Sequence, residues 1–442
     1  MKKFLLTLLI PIIYFINLIF VQFFLINLIT VLSISLICYF ILNNPIRFGI
    51  NSIFLTGFAY FMFLYPLLFS YGLIEIPGYN EKILLFSVFI SFIALLFYLI
   101  SFKFFLNQEL NDIKLIIDKR RKLFLSEKKY YFLFYILVLY SYFTFFGQGI
   151  FNKDLILFTS ILFFIYATPK KHYFILWIIF FIFLILTLQV TSGRRDILKM
   201  ALVFILFLQL YHGNLSIFVL SIFGIITSAS MIIITALRSF SVNWSYNRDI
   251  EIIDLFNNPM YLDRVLRGYG DYLQNALVLA DFGVAYNNFL FILKNISEIG
   301  YLYGQSIFKI FYTWIPRSIW PDKPLDVQMQ IVNFNTSPFY AGGTSQSMTL
   351  VGEAYWNLGI IAIILFFSSL GFINKYIERN FYIMNPYTFL IFISLAPFFI
   401  LMWRGAFTTT LVYTLSNILI LLLCLILSKI SINPLIEKRH ND

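Results

Sequence analysis

Apolar residues run along this chain in blocks of about 20, the length that carries an α-helix across the roughly 30 Å hydrocarbon core of a bilayer. Polar residues collect in the gaps between blocks. Cutting at those gaps predicts spans near 4–21, 25–42, 50–71, 83–102, 130–147, 154–168, 173–190, 196–211, 215–237, 347–371, 385–403 and 406–428. One interval breaks the rhythm: residues 238–346 are polar, aromatic and punctuated by Pro and Gly. Backbone exposed to hydrocarbon must satisfy its own hydrogen bonds, so this stretch is expected in water or folded onto the membrane surface.

The pattern predicts an all-α polytopic membrane protein with about 12 transmembrane helices and one large extracytoplasmic loop. Residues 1–237 hold the first nine helices and a basic cytoplasmic loop, 103–129; residues 238–346 are the large loop, with amphipathic helices; residues 347–442 hold the last three helices and a cytoplasmic tail. Composition agrees, since 60% of residues are hydrophobic and 12% charged, against about 25% charged in a soluble domain. The opening MKKFLLTLLI has the charged and apolar parts of a signal peptide, but the apolar run continues to Leu42 with no small-residue cleavage site, which reads as two retained spans. Cys38 and Cys424 both fall in predicted spans, so neither a disulfide framework nor a thiolate metal site is expected.

Charge adds an orientation. Lys2, Lys3, Lys114, Lys119, Arg120, Arg121, Lys122, Lys128, Lys129, Lys170, Lys171, Lys375, Lys438 and Arg439 fall on one face of the predicted topology, which the positive-inside rule makes the cytoplasm. These cations border apolar spans, and no nucleic-acid partner is expected. Arg194, Arg195, Arg238, Arg248, Arg264, Arg267, Arg317 and Arg404 fall on the opposite face, against that bias. Guanidinium is planar, always charged and able to grip phosphate or carboxylate through two parallel hydrogen bonds, so arginines gathered there suggest an anionic ligand. Pairing with neighbouring acids is the competing account. After Asn258-Pro259, Asp263 with Arg267 and Arg267 with Asp271 stand four residues apart in an amphipathic helical pattern.

In the tight turn Thr191-Ser192-Gly193-Arg194-Arg195-Asp196, Gly193 ends one helix as the next begins, leaving two arginines at the bilayer surface. They read as headgroup anchors, as partners of Asp196, or as a clamp on a lipid-linked phosphate. Arg404 stands in a similar turn, Trp403-Arg404-Gly405. The histidines, His172, His212 and His440, all fall on the cytoplasmic side, so a general base on the outer face has to be a carboxylate. Glu353, which opens a span from the outer side, is the leading candidate; pairing with an arginine is its alternative role, and Asp322, Asp271 and Asp281 are weaker candidates. No compact acid cluster resembles a divalent-metal cage, so no metal or cofactor is expected.

The stretches Thr313-Trp314-Ile315-Pro316-Arg317, Trp320-Pro321-Asp322-Lys323-Pro324 and Gly352-Glu353-Ala354-Tyr355-Trp356-Asn357-Leu358-Gly359, with the earlier Gly193-Arg194-Arg195-Asp196 turn, resemble the Wzy family of oligosaccharide repeat-unit polymerases of bacterial O-antigen and capsule assembly. The resemblance implies a multi-pass glycosyltransferase of GT-C-like architecture in the bacterial cytoplasmic (inner) membrane, its active site facing the periplasm. Its substrates would be undecaprenyl-diphosphate-linked oligosaccharides, one as donor and one as acceptor, with an inverting, metal-independent transfer. A polysaccharide chain-length regulator and a flippase are its expected partners beside the lipid bilayer. In that reaction Glu353 takes the acceptor proton and Arg194 and Arg195 stabilise the leaving diphosphate, aided by Arg317, Arg404, Arg238 and Arg267. Lys323 binds phosphate or merely flanks a proline turn. Trp320, Tyr355, Trp314, Tyr340 and Trp356 stack on sugars or anchor at the interface.

Two other readings stay open. An O-antigen ligase would carry a histidine in the large outer loop, and residues 238–345 contain none. A flippase or secondary transporter would show internal repeats and charges near the bilayer midplane, which the pattern does not display.

Overall fold

The computed structural model describes residues 23–43, 50–71, 80–103, 281–313, 315, 318–334, 347–383, 395, 398–399, 401–403 and 407–430. The predicted spans near 4–21 and from 130 to 237, and most of the one near 385–403, lie outside these residues. Among the described residues the regular structure is helical, without strands: α1 (Phe24–Asn43), α2 (Ile50–Phe58), a π-helical turn (Ala59–Phe63), α3 (Leu64–Ser70), α4 (Glu81–Lys103), α5 (Asp281–Ile299), α6 (Gln305–Tyr312), α7 (Val327–Phe334), α8 (Leu350–Ile383) and α9 (Phe407–Ile430). Five runs among the described residues are long and apolar enough to cross a membrane: Phe24–Leu42, Ile50–Ser70, Glu81–Lys103, Leu350–Glu378 and Phe407–Cys424. This is a helical membrane protein, and each of these spans begins close to where the apolar pattern places it.

The chain divides into two compact units, one of Met1–Leu110, Leu273–Asn380 and Phe398–Val412, the other of Asn111–Tyr272, Phe381–Pro397 and Tyr413–Asp442. Nearly all described side chains belong to the first unit.

Local chemistry explains its elements. In α4, Asn80 caps the start by accepting a hydrogen bond from the Ile83 amide at 3.0 Å, while Glu81 in the first turn and Lys103 in the last complement the helix dipole. The π-helical turn sits directly upstream of Pro66. Proline has no N–H to offer the carbonyl four residues back, at Met62, and its ring crowds that carbonyl; a widened turn relieves both. Thr30, Ser33, Thr56 and Ser91 each return their hydroxyl to the carbonyl four residues earlier, so these polar groups are satisfied within their own helices.

Polar pairs and close approaches fix how these apolar rods meet. Tyr98 donates to Asn51 Oδ1 at 2.7 Å and accepts from Asn374 Nδ2 at 2.8 Å, joining α2, α4 and α8. Ser87 and Tyr286 share a 2.6 Å hydrogen bond between α4 and α5, and Tyr65 donates to Asn287 at 3.0 Å. In lipid, where apolar surface gains little by meeting apolar surface, such bonds and small residues determine register. A Cβ on Gly371 would lie 2.5 Å from the Tyr98 carbonyl oxygen, so only glycine lets α8 pass α4 this closely. Trp403 fills the middle with Phe54 and Phe58, its ring centroid 4.9 and 4.7 Å from theirs.

Two differences from the sequence reading have physical causes. The span expected to end near residue 371 continues as helix to Ile383, because Asn374 and Glu378, which look like loop residues in the pattern, are buried. Within the expected outer loop, α5 is a packed core element: Ala285, Tyr286, Phe289, Leu290 and Ile292 are all fully buried, against α4 and the π-helical turn.

Candidate active site

The site begins at a break in a helix. Thr349 caps α8 by accepting a hydrogen bond from the Gly352 amide at 3.0 Å. The helix then runs only as far as Asn357 before Leu358 (φ −148°, ψ 29°) and Gly359 (φ 64°, ψ −143°) leave helical geometry. The Gly359 conformation is one that a side chain disfavours, which is why glycine stands there. Carbonyls orphaned by the break find partners in the preceding loop: Leu302 N–H donates to Trp356 O at 2.9 Å and Tyr303 N–H to Asn357 O at 3.0 Å. Trp356, fully buried, donates its indole N–H to Gly300 O at 3.0 Å.

Glu353 lies one turn before the break and is 3% exposed. Its Oε2 accepts a hydrogen bond from the Phe407 amide at 2.8 Å. Phe407 is the first residue of α9, so the carboxylate sits at the positive end of that helix. The other oxygen, Oε1, is buried without a hydrogen-bond partner. One turn on, Asn357 donates to Ser306 Oγ at 2.7 Å and to the Glu353 carbonyl at 2.8 Å, which pins the last turn of the half-helix to α6.

Beside it lies an ion pair. Lys309 of α6 approaches Asp326 to 2.8 Å, both side chains largely shielded from water. Thr409 donates to Asp326 Oδ2 at 2.5 Å, and Lys309 Nζ lies 3.4 Å from the Thr409 hydroxyl. Thr408 donates to the Ser306 carbonyl. The Lys309 and Asp326 charges both act on Glu353 through space. Loss of water and the charge on Asp326 also push the Tyr312 phenol above its ordinary value. The first turn of α9, α6, the residue preceding α7 and the first half of α8 thus enclose one ammonium and two carboxylates. Three acceptor oxygens there, Glu353 Oε1, Asp326 Oδ1 and Asn357 Oδ1, are buried and unpartnered.

Of the residues singled out from sequence, Arg194, Arg195, Arg238, Arg267, Arg317 and Arg404 lie outside the described residues, as do Trp314 and Tyr340. Glu353 stands at the centre of the cluster. Lys323 donates to the carbonyls of Thr313 and Ile315, both at 2.9 Å, and so ties the turn after α6 together. Trp320 is 38% exposed and meets Tyr312 edge to face at 5.5 Å. Tyr355 is largely buried, against Phe86 and Tyr301. Trp356, considered as a sugar-stacking ring, belongs to the core. Lys309, Asp326, Asn357 and Ser306 escaped the sequence reading because their partners are distant along the chain; the available signal was a lone Lys309 in an otherwise uncharged run from Tyr301 to Ile315. Among the described residues no three His, Cys, Asp or Glu side chains gather as they would around a metal.

Comparison with known proteins returns no match among family models, curated proteins or solved structures.

Proposed function

We propose that this chain is a membrane glycosyltransferase that polymerises undecaprenyl-diphosphate-linked repeat units into O-antigen or a related surface polysaccharide. The observation that carries the reading is Glu353, a buried carboxylate beside a helix break in a membrane span, with one oxygen fixed by the Phe407 amide and the Ser306 hydroxyl acting on the carboxyl. An ionisable group kept at such a place is a site candidate by default, and it falls within the Gly352–Gly359 stretch that resembles the repeat-unit polymerases.

In this mechanism Glu353 Oε1 takes the proton of an acceptor hydroxyl as that oxygen attacks the anomeric carbon of the donor glycan. The bond from that carbon to the diphosphate oxygen breaks with inversion, and the leaving diphosphate takes the electron pair. Arg194, Arg195, Arg317 and Arg404 stabilise the charge that develops on it, without metal. The reading includes about 12 spans, a GT-C-like arrangement, residence in the inner membrane and a site facing the periplasm. The absence of histidine from residues 238–345 favours polymerase over ligase. A flippase or transporter is the second reading, favoured by the interrupted α8, since broken helices line substrate paths in such proteins.

The deciding experiment supplies purified protein in lipid with a matched lipid-linked repeat unit and looks for a glycan ladder, beside Glu353→Gln and Arg194→Ala. A ladder that Glu353→Gln weakens by about 10²–10⁴-fold supports the base. A ladder undiminished in Glu353→Gln retires that role, and no ladder from folded wild type with its cognate substrate turns the assignment to ligase or transporter.

A further inference from the structure

Helix α6 is inside out. On one side Ser306 and Lys309 are buried, at 4% and 7% exposure, while on the other Ile307, Phe308 and Phe311 stand exposed at 42%, 61% and 77%. A helix facing water does the reverse, turning its ammonium outward and its aromatic rings in. Tyr303, just before α6, is also 73% exposed. A contiguous apolar face of this kind on a folded chain marks something that covers it.

The break in α8 places that face. The loop before α6 is bonded by backbone to Trp356 and Asn357, and α8 goes on directly from there with exposed Leu358, Ile360 and Ile361. The candidate span Leu350–Glu378 holds 29 residues, about 43 Å at 1.5 Å per residue, which exceeds the hydrocarbon thickness of about 30 Å. A span that long extends past the hydrocarbon at one end or both, and α6 packs at its Leu350 end, where Asn357 donates to Ser306. α6 thus stands near the end of a membrane span, the level at which an exposed apolar helix face meets acyl chains.

We infer that α6 is an interfacial helix, with Ile307, Phe308 and Phe311 seated among lipid acyl chains and Lys309 turned away from lipid into the polar cluster. The occupant of this face is the bilayer, and the helix holds the site at the depth where a lipid-linked headgroup lies. The inference depends on the membrane spans and not on which glycan reaction is catalysed.

The test places a nitroxide at Phe308→Cys and, separately, at Phe311→Cys in full-length protein whose Cys38 and Cys424 are replaced by serine, reconstituted in phosphatidylcholine and phosphatidylglycerol vesicles. Collision of the label with oxygen, which concentrates in lipid, is compared with collision with a water-soluble nickel chelate, using Asp322→Cys as the water-exposed reference. The expected result is a several-fold excess of oxygen over nickel collisions at positions 308 and 311 and the opposite at 322. Nickel access equal to that at 322 would overturn the inference in favour of a water-exposed face. Exclusion of both reagents would overturn it in favour of a protein partner, a second copy included. Both positions are exposed, so either one alone suffices if the other substitution lowers yield.

Discussion

The Lys309 ammonium is the single described cation among two carboxylates in the cluster, Asp326 directly and Glu353 through space. Removing one partner of a buried pair leaves a charge with neither water nor counter-ion, a loss of about 3–5 kcal/mol. Lys309→Met is therefore expected to lower the thermal midpoint markedly, and Lys309→Met with Asp326→Leu to recover much of the loss; a double variant no better than the single one would deny the coupling. Lys323 makes a different prediction. Two of its three donors hold backbone carbonyls, so Lys323→Ala is expected to cost about 1–3 kcal/mol while leaving the KM for lipid-linked substrate unchanged. A large rise in KM with unaltered stability would instead make it a phosphate ligand. The sequence marked Glu353 as an acid at the mouth of a span, but not its partner: the Phe407 amide is a backbone group, invisible to any reading of side-chain pattern.

At the scale of elements, α8 carries the most information. Its apolar run from Leu358 to Leu370 reads straight through the break, because Gly359 amid isoleucines looks like an ordinary small residue in a span. The break at Leu358 and Gly359 frees carbonyls that would otherwise bond onward along α8, and Leu302 and Tyr303 satisfy them from a loop about 55 residues away. Gly359→Ala forces a side chain into a conformation with positive φ and toward the Tyr301 ring, 3.4 Å from its hydroxyl; a loss of about 1–3 kcal/mol is expected, read from the thermal midpoint. Should the substitution leave stability unchanged, the helix is free to close through residue 359. Asn374→Leu tests the other half of α8. It removes the donor to Tyr98, and an interhelical bond of this kind in a membrane protein is worth about 0.6–2 kcal/mol. The five spans were legible because hydrocarbon thickness imposes their length, whereas α5 was not: its buried Tyr286 and Phe289 are interspersed with asparagines and glycine that mimic a loop.

For the whole molecule, the sequence predicts an orientation that the helices do not themselves encode. A cysteine at Ser337, outside the described residues, is expected to react with an impermeant thiol reagent in intact cells; protection there, with reaction after permeabilisation, would place the segment from 238 to 346 in the cytoplasm and overturn the periplasmic site. The arginines that motivated that topology and the acid proposed to work with them are separated along the chain by as much as 159 residues, from Arg194 to Glu353, so their assembly was beyond any local pattern. The seam at residues 302, 303, 356 and 357 has one more consequence. It is stitched by main-chain atoms, and every amino acid except proline carries the same stitch. On the α8 side Trp356 and Asn357 are also held by their side chains, to Gly300 and Ser306, so the freedom to drift lies with the loop at 302 while the joint itself persists. A library randomised at 302 should retain folded members of most compositions and lose those with proline, whereas at 303, where φ is 48°, glycine and asparagine should be favoured over β-branched residues, so descendants of such a scaffold could share a mouth of the same architecture with few letters of the loop in common.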